Sequence, residues 1–244
     1  MASSWANRTV TVLGQRVHAV VVGLVGAILG VSILAAVTAR AGFPLLAGSI
    51  ALVPWRVTQG FEAWRLVTWG FLGQGINLLF GCFAIWWAAP DLARAWGGAR
   101  LLRVSLGVVV LSGLVTCLVG LVWAPVSTFP YAGVWPLADA LIIAWASIVP
   151  YGVVNLFMVL PVPARQVPAV WIGFTVVAAL LDGVPGYIPH LLAECLILLY
   201  LRDYTLRTLW LRMRYANIER TLRRRASPLR EVKKGQETPP RWFH

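Results

Sequence analysis

Apolar positions in this chain fall into long unbroken runs. They show neither the alternation of a half-buried strand nor the one-sided stripe of a soluble helix. Six runs have membrane-crossing character: residues 17–39, 66–89, 101–123, 133–149, 167–181 and 187–201. A hydrocarbon core about 30 Å thick takes about 20 residues of helix. Backbone groups inside it must be satisfied internally, so helices are the expected form. The last three runs are short, and the fourth and sixth carry the acids Asp139 and Glu194. That combination predicts helices surrounded by neighbours rather than by lipid. Between the first two runs, "AGFPLLAGSIALVPWRVTQGFEAWR" is as apolar as a span but is broken by Pro44, Gly48, Pro54 and Gly60. It predicts a partly embedded lateral structure, with Trp55 and Trp64 at the interface that indole rings favour.

Composition sharpens this picture. Apolar residues make up 59% of the 244, charged residues 12%, and mean hydropathy is +0.75. A soluble domain carries about 25% charge. The first run is longer than the roughly 7–15-residue core of a signal peptide, which favours a true membrane helix. With the N-terminus in the cytoplasm, 18 of the 21 Lys and Arg fall inside, and only Arg40, Arg56 and Arg65 fall outside. The positive-inside rule therefore predicts both termini cytoplasmic, and a bacterial inner membrane is the expected setting.

The net charge of +12 is largely topological, so no nucleic-acid partner is expected. Residues 1–16 read as a cytoplasmic N-terminus and 17–202 as the membrane domain. Residues 203–226 read as a basic amphipathic cytoplasmic helix and 227–244 as a flexible tail. In that helix Arg207, Trp210, Arg212, Arg214, Arg223, Arg224 and Arg225 suit either anionic lipid head groups or a protein partner. Cys82, Cys117 and Cys195 form no CxxC pair and read as small buried hydrophobes, with no metal site or cofactor expected. Gly26 and Gly30 form a GxxxG of the kind that lets helices approach closely.

Three segments carry a resemblance. "FEAWRLVTWGFLGQGINLLFGCFAIWWAAPDLARAWGGARLL" holds Glu62, the run Trp64 to Thr68, Trp86-Trp87, and Asp91 before Gly97-Gly98. "FMVLPVPARQVPAVW" precedes the fifth run, and "GYIPHLLAECL" opens the sixth. Together, over roughly residues 54–202, they resemble the rhomboid superfamily of intramembrane serine proteases. The resemblance implies an all-α, polytopic, six-helix membrane fold. It also implies a serine in Gly-x-Ser-Gly at the head of the fourth helix and a histidine base on the sixth. The oxyanion would be held by backbone N–H near the serine and by a His and an Asn of the second helix.

Set against that pattern, Gly133 matches the first glycine and His190 the base. Trp135 stands at the serine, Pro136 at the second glycine, Asn77 at the second-helix histidine and Gly81 at its asparagine. Trp has no nucleophilic oxygen, Pro136 has no N–H, and Gly81 offers no amide. Loss of one oxyanion donor alone costs about 10²–10³ in rate. The expectation is a pseudoprotease, not an enzyme. Ser147 lies about 18 Å along the helix from Trp135, and Ser127 lies in the preceding loop; neither is an expected nucleophile.

His190 and Glu194 are four apart on one helix face, and Asp139 is one turn beyond Trp135. These three predict a polar cluster beside a water-filled cavity. The resemblance implies a lateral opening through which a client transmembrane helix enters. Relatives without the serine, derlins among them, bind such clients without cutting them. Trp55, Trp64, Trp135, Asp139, His190 and Glu194 are the expected client contacts. A structural subunit of a larger membrane complex is the alternative. An active protease with another nucleophile, or a proton- or metal-handling protein built on the acids, stands behind it.

Overall fold

The computed structural model describes residues 8–12, 15–42, 45–149, 152–156 and 160–202. A hairpin of β1 (Thr9–Val12) and β2 (Gln15–His18) leads into α1 (Ala19–Arg40). The broken apolar segment follows as α2 (Leu45–Ile50), α3 (Pro54–Thr58), α4 (Arg65–Thr68) and a 3-10 turn at Trp69–Phe71. Then come α5 (Gly75–Trp96), α6 (Gly98–Val122), the short α7 (Ala124–Thr128) and α8 (Val134–Ile148). A second antiparallel hairpin, β3 (Val153–Leu156) with β4 (Leu160–Pro163), precedes α9 (Val167–Asp182) and α10 (Val184–Arg202).

Among the described residues five helices are long and apolar enough to cross a membrane: α1, α5, α6, α9 with its leading 3-10 turn, and α10. α8 has 15 residues and falls short of that length. It is also the most enclosed: Val134 and every residue from Pro136 to Ala146 are buried. α5 is its main packing partner. At the end nearer Ile148, Trp145 Nε1 donates to Asp91 Oδ2 at 2.8 Å, and Asp91 also pairs with Arg94. Close by in sequence, α5 passes to α6 through Gly97 at φ 82°, a left-handed conformation that suits glycine. Arg100 then joins α6 to α10, donating from Nε to the Tyr200 hydroxyl at 2.7 Å.

Several expectations are corrected here. The fold is mostly helical but not all-α, since two short hairpins interrupt it. The second run does not begin a long helix at 66. Gly75 takes φ 55° after an extended Gln74, and the long helix starts only there. Trp64 to Thr68 belongs to the lateral segment instead. Among the described residues Gly26 and Gly30 meet nothing within 4 Å, so their small face makes no contact there. Cys195 is exposed, while Cys82 and Cys117 are buried. The basic helix expected at 203–226 and the tail at 227–244 lie outside the described residues.

The lateral segment is held by one buried cation. Arg65 is 1% exposed, and its Nη1 donates to the carbonyls of Gly48 at 2.5 Å and Ala51 at 2.6 Å, while Nε pairs with Glu62. Five donors in a rigid fork allow one side chain to satisfy several acceptors that a broken helix leaves open. Ser32 fastens the same segment to α1: its hydroxyl donates to Phe71 O at 3.2 Å and accepts from Gly73 N–H at 2.9 Å.

Candidate functional site

The head of α8 is built against the lateral segment. Gly133 N–H donates to Trp69 O at 2.8 Å. A Cβ at 133 would sit 2.7 Å from both the Trp69 ring and Gly70 Cα, so only glycine permits this approach. Leu52 and Tyr131 exchange backbone hydrogen bonds of 3.0 and 2.8 Å. The Tyr131 hydroxyl donates to Pro185 O at 2.9 Å. Burial pushes its pKa above the ordinary tyrosine range, which keeps it a donor. The lateral segment, the entry to α8 and the first turn of α10 are thereby tied together.

Into this frame Trp135 projects between two cavities. The smaller, about 240 Å³, is lined by Gly73, Gln74, Asn77, Trp135, Pro136 and His190 among others. The larger, about 840 Å³, lies between α5, α8, α9 and α10 and shares Asn77, Trp135 and His190. Pro136 sits in the first turn of α8, where a missing N–H breaks no helical hydrogen bond. At Gly81 an added Cβ would collide with a methyl of Val134. An asparagine amide therefore has no room at that position while α5 and α8 pack as they do.

The polar centre lies one turn further into α8. His190 Nδ1 is 2.7 Å from Asp139 Oδ2, and Trp171 Nε1 donates to Asp139 Oδ1 at 2.8 Å. Both carboxylate oxygens are thus engaged, although Asp139 is only 3% exposed. In the neutral tautomer that donates from Nδ1, His190 presents Nε2 as an acceptor, the arrangement of an oriented base. Trp135 lines both cavities beside His190, and neither Ser127 nor Ser147 lines them. Ser147 donates instead to Ala144 O at 2.6 Å.

Glu194 is fully buried on the same face of α10. Its Oε1 accepts from the Thr175 hydroxyl at 2.6 Å, and its Oε2 has no hydrogen-bond partner among the described residues. Thr175 and Trp171 are i, i+4 on α9, so one helix face serves both acids. The expected trio therefore divides in two. Asp139 and His190 form a direct pair at the cavity wall, whereas Glu194 stands behind Thr175 and does not line that wall. The sequence reading missed Trp171 and Thr175; their i, i+4 spacing of polar-capable groups on an apolar helix was the available signal.

Trp55 and Trp64 lie elsewhere. Both are exposed on the lateral segment, Trp55 beneath the Arg56 guanidinium and Trp64 donating to Ser49 O at 3.2 Å. Neither lines the two cavities. The expected docking residues Arg207, Trp210, Arg212, Arg214, Arg223, Arg224 and Arg225 lie outside the described residues. Among the described residues no three His, Cys, Asp or Glu side chains converge as metal ligands.

A family model described as "Eukaryotic integral membrane protein (DUF1751)" matches residues 20–205. No curated protein matches the chain. The family description overturns the expected bacterial inner membrane: the protein is an integral membrane protein of a eukaryotic family. Apolar run length and Arg/Lys placement report bilayer thickness and sidedness. They carry no information on the kind of cell.

Proposed function

We propose that this chain, which belongs to the eukaryotic integral membrane protein family DUF1751, is a six-span rhomboid-like pseudoprotease that binds transmembrane clients without cutting them. In this reading α8 is the fourth of six crossings, added to the five longer helices. At about 1.5 Å per residue it is some 22 Å long, short for lipid but sufficient for a helix walled by protein. Its near-complete burial supports that role.

One observation carries the reading. Trp135, which the rhomboid resemblance sets at the nucleophile, shares a cavity with His190, and His190 pairs with Asp139. Pro136 lacks the N–H, and Gly81 the space, that an oxyanion hole would require. What is left is a cavity with a polar floor, which has the features of a binding site rather than of a hydrolytic one. The lateral segment clamped by Arg65 lies beside it and forms the embedded gate through which a client helix would pass.

The test is affinity capture of the full-length protein in mild detergent, with mass spectrometry of everything retained. The proposal expects many intact single-span proteins at low ratio, most of them lost on Asp139→Asn while the melting temperature holds. A single partner at constant stoichiometry, retained by Asp139→Asn, would instead identify a subunit of a fixed complex.

A further inference from the structure

The walls of the larger cavity divide into two chemistries. Phe129, Trp135, Trp171, Phe174 and Tyr187 present aromatic rings, while Asp139 and Asp182 supply carboxyl groups. Among the described residues no Lys or Arg lines it. The His190–Asp139 pair sums at most to zero charge, so Asp182, exposed at the end of α9 and accepting from the Tyr187 hydroxyl at 2.8 Å, leaves the cavity negative. Its volume of about 840 Å³ is large for one side chain and ample for part of a helix.

The cavity is also long. Asp139 is bonded to Trp171 near one end of α9, and Asp182 closes the other, a span of about 16 Å along the helix axis. Beside it, Phe174, Val177 and Leu181 are exposed at i, i+3 and i+7, an apolar strip bordering the opening. The result is a groove with carboxyl groups at its ends, aromatic faces between them, and an apolar margin.

We infer that this groove receives a single basic side chain, Lys or Arg, carried inside the transmembrane segment of a client. The inference rests on the client-binding reading and narrows it to one class of segment. A cation inside a span is costly in lipid. Here it meets ring faces and carboxyl groups, both of which attract a cation. The rest of the segment, being apolar, packs on the strip of α9. An ammonium head group of a lipid shares the chemistry, but it would reach Asp182 from the membrane surface and leave the buried Asp139 end empty.

The experiment uses full-length protein in nonionic detergent, with a photo-crosslinking phenylalanine analogue at Phe174. The probes are single-span peptides of one apolar sequence differing at one central residue: Lys, Leu or Glu. The Lys peptide is expected to crosslink about tenfold more than the Leu peptide, and the Glu peptide less than either. Asp139→Asn and Asp182→Asn together, with an unchanged melting temperature, should reduce Lys to the Leu level. Equal capture of all three peptides overturns the basic-residue preference and leaves client binding standing. No capture of any peptide overturns both. A Lys preference abolished by added phosphatidylcholine overturns the inference in favour of a lipid ammonium.

Discussion

Asp139 is the residue on which the site turns. Its two oxygens satisfy two half-buried donors from two other helices. Asp139→Asn keeps an acceptor and the shape, whereas Asp139→Leu strands both the indole N–H and the imidazole. A buried polar group left unpaired costs about 1–3 kcal/mol. Chemical denaturation in detergent should therefore rank Leu well below Asn, by about 2–6 kcal/mol for two stranded groups. Equal stability of the two variants would show that the hydrogen bonds are not made. The sequence disclosed this pair because an acid and a histidine inside apolar runs are costly and so need partners. It did not disclose Trp171, since an indole in a membrane helix reads as an ordinary apolar or interfacial residue until its N–H is seen to point at a carboxylate.

Helix boundaries and close approaches belong to the next scale. The runs that became α6, α8, α9 and α10 were readable because run length maps directly onto the thickness a helix must cross. The start of α5 was not. The run carries Gly73-Gln74-Gly75 at the point where Gly75 turns the chain sharply, and mean hydropathy is blind to a positive φ. Both hairpins were missed for a related reason, since strands of four residues are too short to show a period of two against an apolar background.

Two variants test the packing of these elements. Gly81→Asn drives a side chain into Val134 and should destabilise by about 1–3 kcal/mol, the usual cost of overpacking. If it is instead tolerated and its amide reaches the cavity, the argument for a closed oxyanion position fails. Arg65→Ala frees the carbonyls of Gly48 and Ala51. Hydrogen exchange should then rise across residues 45–72 while α6 and α8 stay protected. Uniform exchange across the chain would contradict a separately clamped lateral segment.

At the scale of the whole molecule, residues up to Leu201 form one compact unit. Truncation after Arg202 should accordingly leave the thermal transition of the membrane domain within a few degrees of the full chain. A large drop would assign the basic C-terminal region a part in the fold. The membrane character and most of the span layout were legible in the sequence, because the bilayer imposes length and polarity on every crossing. The eukaryotic setting was not, because those same constraints apply in any bilayer.

The central claim is that this cavity binds and does not cut. Its most direct test is to reconstitute the purified protein with a panel of single-span substrates and follow their masses over hours. The account predicts substrates that crosslink to the cavity and remain intact, with no difference in mass between wild type and His190→Ala. New cleavage products that disappear in His190→Ala would contradict it and restore the site to a working hydrolase.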